Sequence, residues 1–293
     1  MNTRGIQALI PEGFRVRSVG DRICIFRESY QRVMLDLAGE QEIGLRSILR
    51  LRGRGRPAVI PADTEKLVVR HYYHGGVLRR LTGDLFFGVE RFLNELRTLE
   101  AAHRSGVAVP LPVGLLIEPV SRIFFRADLI TVYISGSVDL LSYYRQVFSG
   151  PRIDSSANLA ALVAAAGRQV SLLHRSGILH GDLQVKNLLI RPNLHSSEVV
   201  LLDFDRARFG KSGREKNLRR LYRSFLKMRL SLPAVSPLDP IRFLRAYAPA
   251  DRDFRRRMIA DLRLRRGWTV ARLLKWKLSF FFRGGYYARS MED

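Results

Sequence analysis

The chain has 293 residues, enough for one large domain or a two-lobed unit, and its apolar content of 46% excludes wholesale disorder. No run approaches the apolar length that crosses a bilayer as a helix, and a single cysteine, Cys24, excludes an internal disulfide. Fifty Lys and Arg against 27 Asp and Glu give a net charge of +23, which attracts polyanions: nucleic acid, an anionic membrane face or a phosphorylated substrate. The first residues lack the apolar segment of a signal peptide, so a cytoplasmic location is expected.

In chain order, residues 14–19 and 22–26 are strand-like, with Cys24 expected as a buried spectator, and a helix is expected over 30–51. Arg52-Gly-Arg-Gly-Arg-Pro57 is a turn punctuated by Gly53 and Gly55. Residues 67–73 alternate and are rich in β-branched and aromatic side chains, which predicts a strand ended by Gly75-Gly76. Val89, Phe92, Leu93, Leu96 and Leu99 recur at helical spacing over 89–103, and 106–112 stops that helix. A strand is expected over 122–135, then a break at Gly136. Asn158 is expected to cap a helix striped by Leu159, Leu162, Val163, Val170 and Leu173; an apolar run follows at 199–202, and everything beyond Gly210 reads as helical and basic. The layout predicts an α+β, bilobal fold of the protein-kinase type: a small strand-rich N-lobe over 1–135 and a larger helical C-lobe over 136–293.

The chemistry concentrates in His180-Gly-Asp-Leu-Gln-Val-Lys-Asn187, followed by Val-Val-Leu-Leu-Asp203-Phe-Asp205. Transfer of a phosphoryl group from ATP needs a carboxylate to orient and deprotonate a hydroxyl, and an amide oxygen with a second carboxylate to hold Mg2+. Asp182 suits the first role; Asn187 and Asp203 suit the second, with helix capping and loop bracing as the plain alternatives. His180 is expected to brace the loop. Arg70, mid-strand, is either placed to meet ATP phosphates with Glu95 steadying it or an ordinary exposed arginine; Glu100 lies nearer the middle of the apolar stripe and is the rival partner. Gly53 and Gly55 form a weak GxG through which backbone approaches phosphate or simply turns, Lys186 adds charge near the transferred group, and no Walker A sequence is present.

Together these segments resemble the lipopolysaccharide kinase (Kdo/WaaP) family, in particular its 3-deoxy-D-manno-octulosonic acid (Kdo) kinases. The resemblance rests on Val69-Arg-His-Tyr-Tyr-His-Gly-Gly76, 95–112, His180 to Asn187, Leu202-Asp-Phe-Asp-Arg-Ala-Arg208 and Asn217-Leu-Arg-Arg-Leu-Tyr-Arg-Ser-Phe-Leu-Lys227. It implies Asp182 as catalytic base, Asn187 and Asp203 as magnesium ligands and Arg70 in the ATP-lysine position. Against protein kinases, Arg stands for Lys at 70, Gln184 for the Lys two after the catalytic Asp, and Asp205 for the Gly of Asp-Phe-Gly. No Ala-Pro-Glu follows, which favours a small or lipid-linked acceptor over a protein. The expected acceptor is a sugar hydroxyl of Kdo-lipid A precursor on the anionic cytoplasmic face of the inner membrane. A core heptose is the alternative acceptor, and an RNA-associated atypical protein kinase of the RIO type the alternative class, with nucleic acid the less favoured partner. Val270, Leu273, Leu274, Leu278 and Phe281, with Arg272, Lys275, Trp268 and Trp276 nearby, form a basic amphipathic segment suited to that membrane or to packing on the larger lobe.

Overall fold

The computed structural model describes residues 3–39, 57–62, 65–74, 83–149, 155–192, 197–232 and 235–265. Gly53, Gly55, Gly75, Gly76, the far part of the helix expected over 30–51 and the basic amphipathic segment lie outside the described residues. The chain divides into two compact units. One comprises 1–137, 172–181 and 200–211; the other comprises 138–171, 182–199 and 212–293.

The first unit is built on an antiparallel sheet ordered β1-β2-β6-β7-β4-β3, with the short β5 (Phe86–Phe87) paired to β7. Its strands are β1 (Phe14–Val19), β2 (Arg22–Arg27), β3 (Ala58–Ala62), β4 (Glu65–His71), β6 (Pro112–Pro119) and β7 (Phe124–Val132). Strand alternation divides the work of β4. Leu67 and Val69 point into a core with Cys24, Phe26, Met34 and Leu37, the last two from helix α2 (Gln31–Gly39), which follows the short α1 (Thr3–Gln7). The alternate positions carry Arg70 and, just past the strand, Tyr72 to the other face, where helix α3 (Glu90–Arg104) supplies their partner. Cys24 is fully buried and burial pushes its thiol up to about 12, the environment of an inert core thiol.

Central strand β6 was not foreseen. Its run Val113-Gly-Leu-Leu-Ile117 is bounded by Pro112 and Pro119 and interrupted by Gly114, so it carries breaker signals and no alternation. Burial on both faces removes the alternation. Gly114 is required because a Cβ there would lie 2.1 Å from the Ile25 carbonyl oxygen across the β2–β6 pair.

The second unit contains β8 (Val138–Asp139), β9 (Leu188–Pro192) and β10 (Ser197–Leu201) in a small sheet ordered β10-β9-β8; the last two residues of β10 fall in the first unit. Its helices are α4 (Leu140–Ser149), most of α5 (Ser155–Arg175), α6 (Arg214–Ser231), α7 (Asp239–Tyr247) and a helical stretch over 252–265. Helix α5 begins three residues before Asn158, which therefore lies in its first turn and does not cap it. Leu162, Leu188, Leu221, Phe243 and Leu262 surround a small apolar cavity of about 70 Å³. Among the described residues no helix is long and apolar enough to cross a membrane.

Candidate active site

In the first unit, Arg70 and Glu95 meet. Apolar Phe92, Leu93, Leu96 and Leu99 turn one face of α3 into the core, and Glu95 is carried with them, 1% exposed. One Glu95 carboxylate oxygen accepts a hydrogen bond from the Arg70 guanidinium at 2.5 Å; the other accepts from the Tyr72 hydroxyl at 2.7 Å. Tyr72 lies flat enough for the guanidinium to sit 4.8 Å above its ring, and Phe92 packs beside it at 4.6 Å. Burial works against the charge of Arg70, but the carboxylates of Glu95 foremost and of Asp203 more than offset it and hold the guanidinium protonated. Glu100, the rival, is equally buried and spends its carboxylate on Arg27 of β2 and on Arg104 at 2.8 Å. Helical angle puts Glu100 nearer the middle of the apolar stripe than Glu95; the basic residue facing each one, Arg70 for Glu95 and Arg27 with Arg104 for Glu100, decides between them.

The segment around Asp203 is braced from three directions within the same unit. His180, fully buried, donates from Nε2 to the Leu202 carbonyl at 2.8 Å and packs on Phe204 at 5.1 Å between ring centroids. Gly181, in the left-handed region at φ +71°, approaches so closely that a Cβ would lie 2.1 Å from the Arg206 carbonyl oxygen. The middle residue of His-Gly-Asp is therefore glycine for a steric reason. Asp203 is exposed and is the one non-glycine with positive φ, +66°, among the described residues. Two residues on, Asp205 takes a two-pronged ion pair from Arg91 of α3, at 2.6 and 2.5 Å, and Asn94 donates to the Ala207 carbonyl at 2.8 Å. Asp205 was noted as a departure from glycine; its partner Arg91 carries no signal of its own in the sequence.

In the second unit, residues 182–187 fold as a loop ending in a 3-10 turn, Val185–Asn187. Asn187 is buried and donates its side-chain amide to the Asp182 carbonyl at 2.9 Å, which leaves its amide oxygen as the free acceptor. Ser224 of α6 accepts the Val185 N–H at 2.9 Å and returns its proton to the Leu221 carbonyl at 2.7 Å, fixing the loop to the helix. Gln184 and Arg220, also of α6, both contact Asp182 Oδ1. Lys186 is exposed. Arg220 escaped the sequence reading because α6 is crowded with arginines, and only the tertiary contact singles one out.

Asn187 and Asp203 offer an amide oxygen and an exposed carboxylate, hard ligands of the kind Mg2+ takes, and no cluster of three or more His, Cys, Asp or Glu suited to a metal occurs among the described residues.

The family model for the lipopolysaccharide kinase (Kdo/WaaP) family matches residues 46–247. The chain belongs to this family. A 3-deoxy-D-manno-octulosonic acid kinase of Pasteurella multocida is 28% identical over 215 residues, covering 70% of this chain and 81% of that one. The kinase of the same name from Photobacterium profundum is 32% identical over 183 residues, covering 60% of this chain and 72% of that one. A solved structure of WaaP in complex with acyl carrier protein matches with a TM-score of 0.55 at 20% identity, over 86% of this chain and 98% of that one, which shows the protein-kinase-like fold. Membership makes this chain an ATP-using phosphotransferase of lipopolysaccharide biosynthesis that acts on a sugar hydroxyl.

Proposed function

We propose that this lipopolysaccharide kinase phosphorylates Kdo on a Kdo-lipid A precursor. The observation that carries the reading is the Asp182 loop, held by Ser224 and by Asn187, in a chain whose curated relatives are Kdo kinases. The acceptor hydroxyl gives its proton to Asp182 as its oxygen attacks the γ-phosphorus. Arg70, kept charged by Glu95, binds the ATP phosphates. Asn187 and Asp203 would hold Mg2+, which supplies charge neutralisation on those phosphates. Gly53, Gly55 and Lys186 are secondary candidates for phosphate contact. The enzyme works as a peripheral protein on the cytoplasmic face of the inner membrane, where its +23 charge favours anionic lipid.

The test offers labelled ATP to Kdo-lipid A precursor, to heptosylated core and to a generic protein. Label on the Kdo acceptor is expected; label on heptose alone or protein alone overturns the assignment. Asp182→Ala is expected to abolish transfer while ATP still binds. Sedimentation with anionic vesicles, reversed by high salt, is the companion measurement for the membrane role, and no binding at low salt would remove it.

A further inference from the structure

We propose that Arg220 is a catalytic residue: its guanidinium waits on the Asp182 carboxylate and lends its charge to the phosphoryl group in flight. The inference rests on the kinase reading above. Transfer through a loose transition state spreads negative charge over the equatorial phosphoryl oxygens, and preorganised cations beside the attacking oxygen lower that barrier. On the loop itself the neighbouring side chain is the neutral amide of Gln184, and Lys186 points to solvent, exposed. The cation in contact with Asp182 comes from α6.

Its placement is built. Ser224 bonds the loop at Val185, and Arg220 lies four residues earlier, so the two share one face of α6 and the bond that fixes the loop also carries Arg220 to Asp182. Neighbouring Arg219 is spent elsewhere, on Asp261 at 2.8 Å. The Arg220 contact and the Gln184 contact both fall on Asp182 Oδ1, which leaves Oδ2 for the acceptor hydroxyl. The resting pose is also an incomplete one: Nε of Arg220 is buried and has no hydrogen-bond partner, although the side chain as a whole is 33% exposed. A buried guanidinium N–H without an acceptor is costly, so an anion arriving beside Asp182 offers it a better position.

The bookkeeping of charge closes. The sugar oxygen bonds to the γ-phosphorus, the bond to the β,γ-bridging oxygen breaks with its electron pair leaving on ADP, and the sugar proton passes to Asp182. As that carboxylate becomes neutral it no longer needs a counter-charge, and the guanidinium is released to the phosphoryl oxygens at the moment they need one.

The test is steady-state kinetics with ATP and Kdo-lipid A precursor for Arg220→Gln, Arg220→Ala and Arg220→Lys. Expected for Arg220→Gln is a kcat lower by about 10²-fold, with both KM values nearly unchanged and the loss uniform across pH. Guanidinium ion in the assay is expected to restore part of the Arg220→Ala rate. Arg220→Lys should retain roughly a tenth of wild-type kcat, since it keeps the charge without the fork. A Gln variant at wild-type kcat, a loss confined to acceptor KM, or a loss repaired by raising the pH overturns the proposal; the last would mean that Arg220 acts only by keeping Asp182 ionised. Should the Gln variant fail to fold, an inactive but folded Lys variant overturns it equally. Wild-type enzyme that leaves the Kdo acceptor unlabelled refutes the function itself, whereas active wild type with an unaffected Gln variant refutes Arg220 alone.

Discussion

Glu95 holds Arg70, the residue proposed to meet the ATP phosphates. It is 1% exposed and has two partners, so replacing its charge while keeping its shape isolates the electrostatic part of its work. Glu95→Gln leaves Arg70 without its counter-charge. Arg70 keeps 30% of its side chain in solvent, which screens the loss, so the cost belongs at about 2 kcal/mol, below the usual range for a broken buried pair. The denaturation midpoint in urea measures this, and kcat/KM for ATP should fall by about tenfold or more. Glu100→Gln, by contrast, should disturb the Arg27 and Arg104 contacts and leave ATP kinetics near wild type. Reversal of that order would exchange the two roles.

At the scale of elements, α3 is fastened to the segment after Asp203 by side chains, through Arg91 to Asp205 and Asn94 to the Ala207 carbonyl. Protein kinases carry glycine where Asp205 stands, so here the ion pair holds the helix, and with it Glu95, in register. A double-mutant cycle between Arg91→Ala and Asp205→Ala should return a coupling of about 1 kcal/mol, modest because Arg91 is 36% exposed. Additive effects would show that the pair holds nothing. A second clamp joins β4, β7 and the turn before β5. His71 contacts Asp128 at 2.8 Å and Asp84 at 3.1 Å, and Arg126 reaches the same Asp84 oxygen at 3.1 Å with Glu118 at 3.5 Å. Burial would lower the His71 pKa, but Asp128 and then Asp84 outweigh it and raise it. The folded protein therefore binds this proton more tightly than the unfolded chain. Its stabilisation is complete below about pH 6.5 and drains away as pH rises through the higher folded value. Thermal melts at a series of pH values should show that decline, and His71→Gln should flatten it.

Across the whole molecule, legibility followed locality. The spacing of Asp182, Asn187 and Asp203, the β4 strand and the α3 stripe are patterns within short windows, and each could be read before any fold was known. Strand β6 could not, because burial on both faces erased its alternation and close packing against Ile25 demanded a glycine that otherwise signals a turn. Arg91 and Arg220 could not, because a chain so rich in arginine gives no local reason to prefer one. Their identity lies in contacts across 114 residues for Arg91 with Asp205, and 38 positions of chain for Arg220 with Asp182.

The left-handed backbone at Asp203 has a consequence for how such an enzyme ages under selection. A carboxylate-bearing residue at φ +66° carries strain of about 1 kcal/mol that glycine would not. Asp203→Gly should therefore be no less stable than wild type, and by up to ~1 kcal/mol more stable in urea, while turnover is lost. A variant both less stable and inactive would refute the strain. If the expected result holds, a screen for heat resistance that never assays turnover would drift toward glycine at 203 and collect well-folded, silent proteins. Every functioning copy would then be one that forgoes that easy gain in robustness in order to keep a carboxylate at this turn.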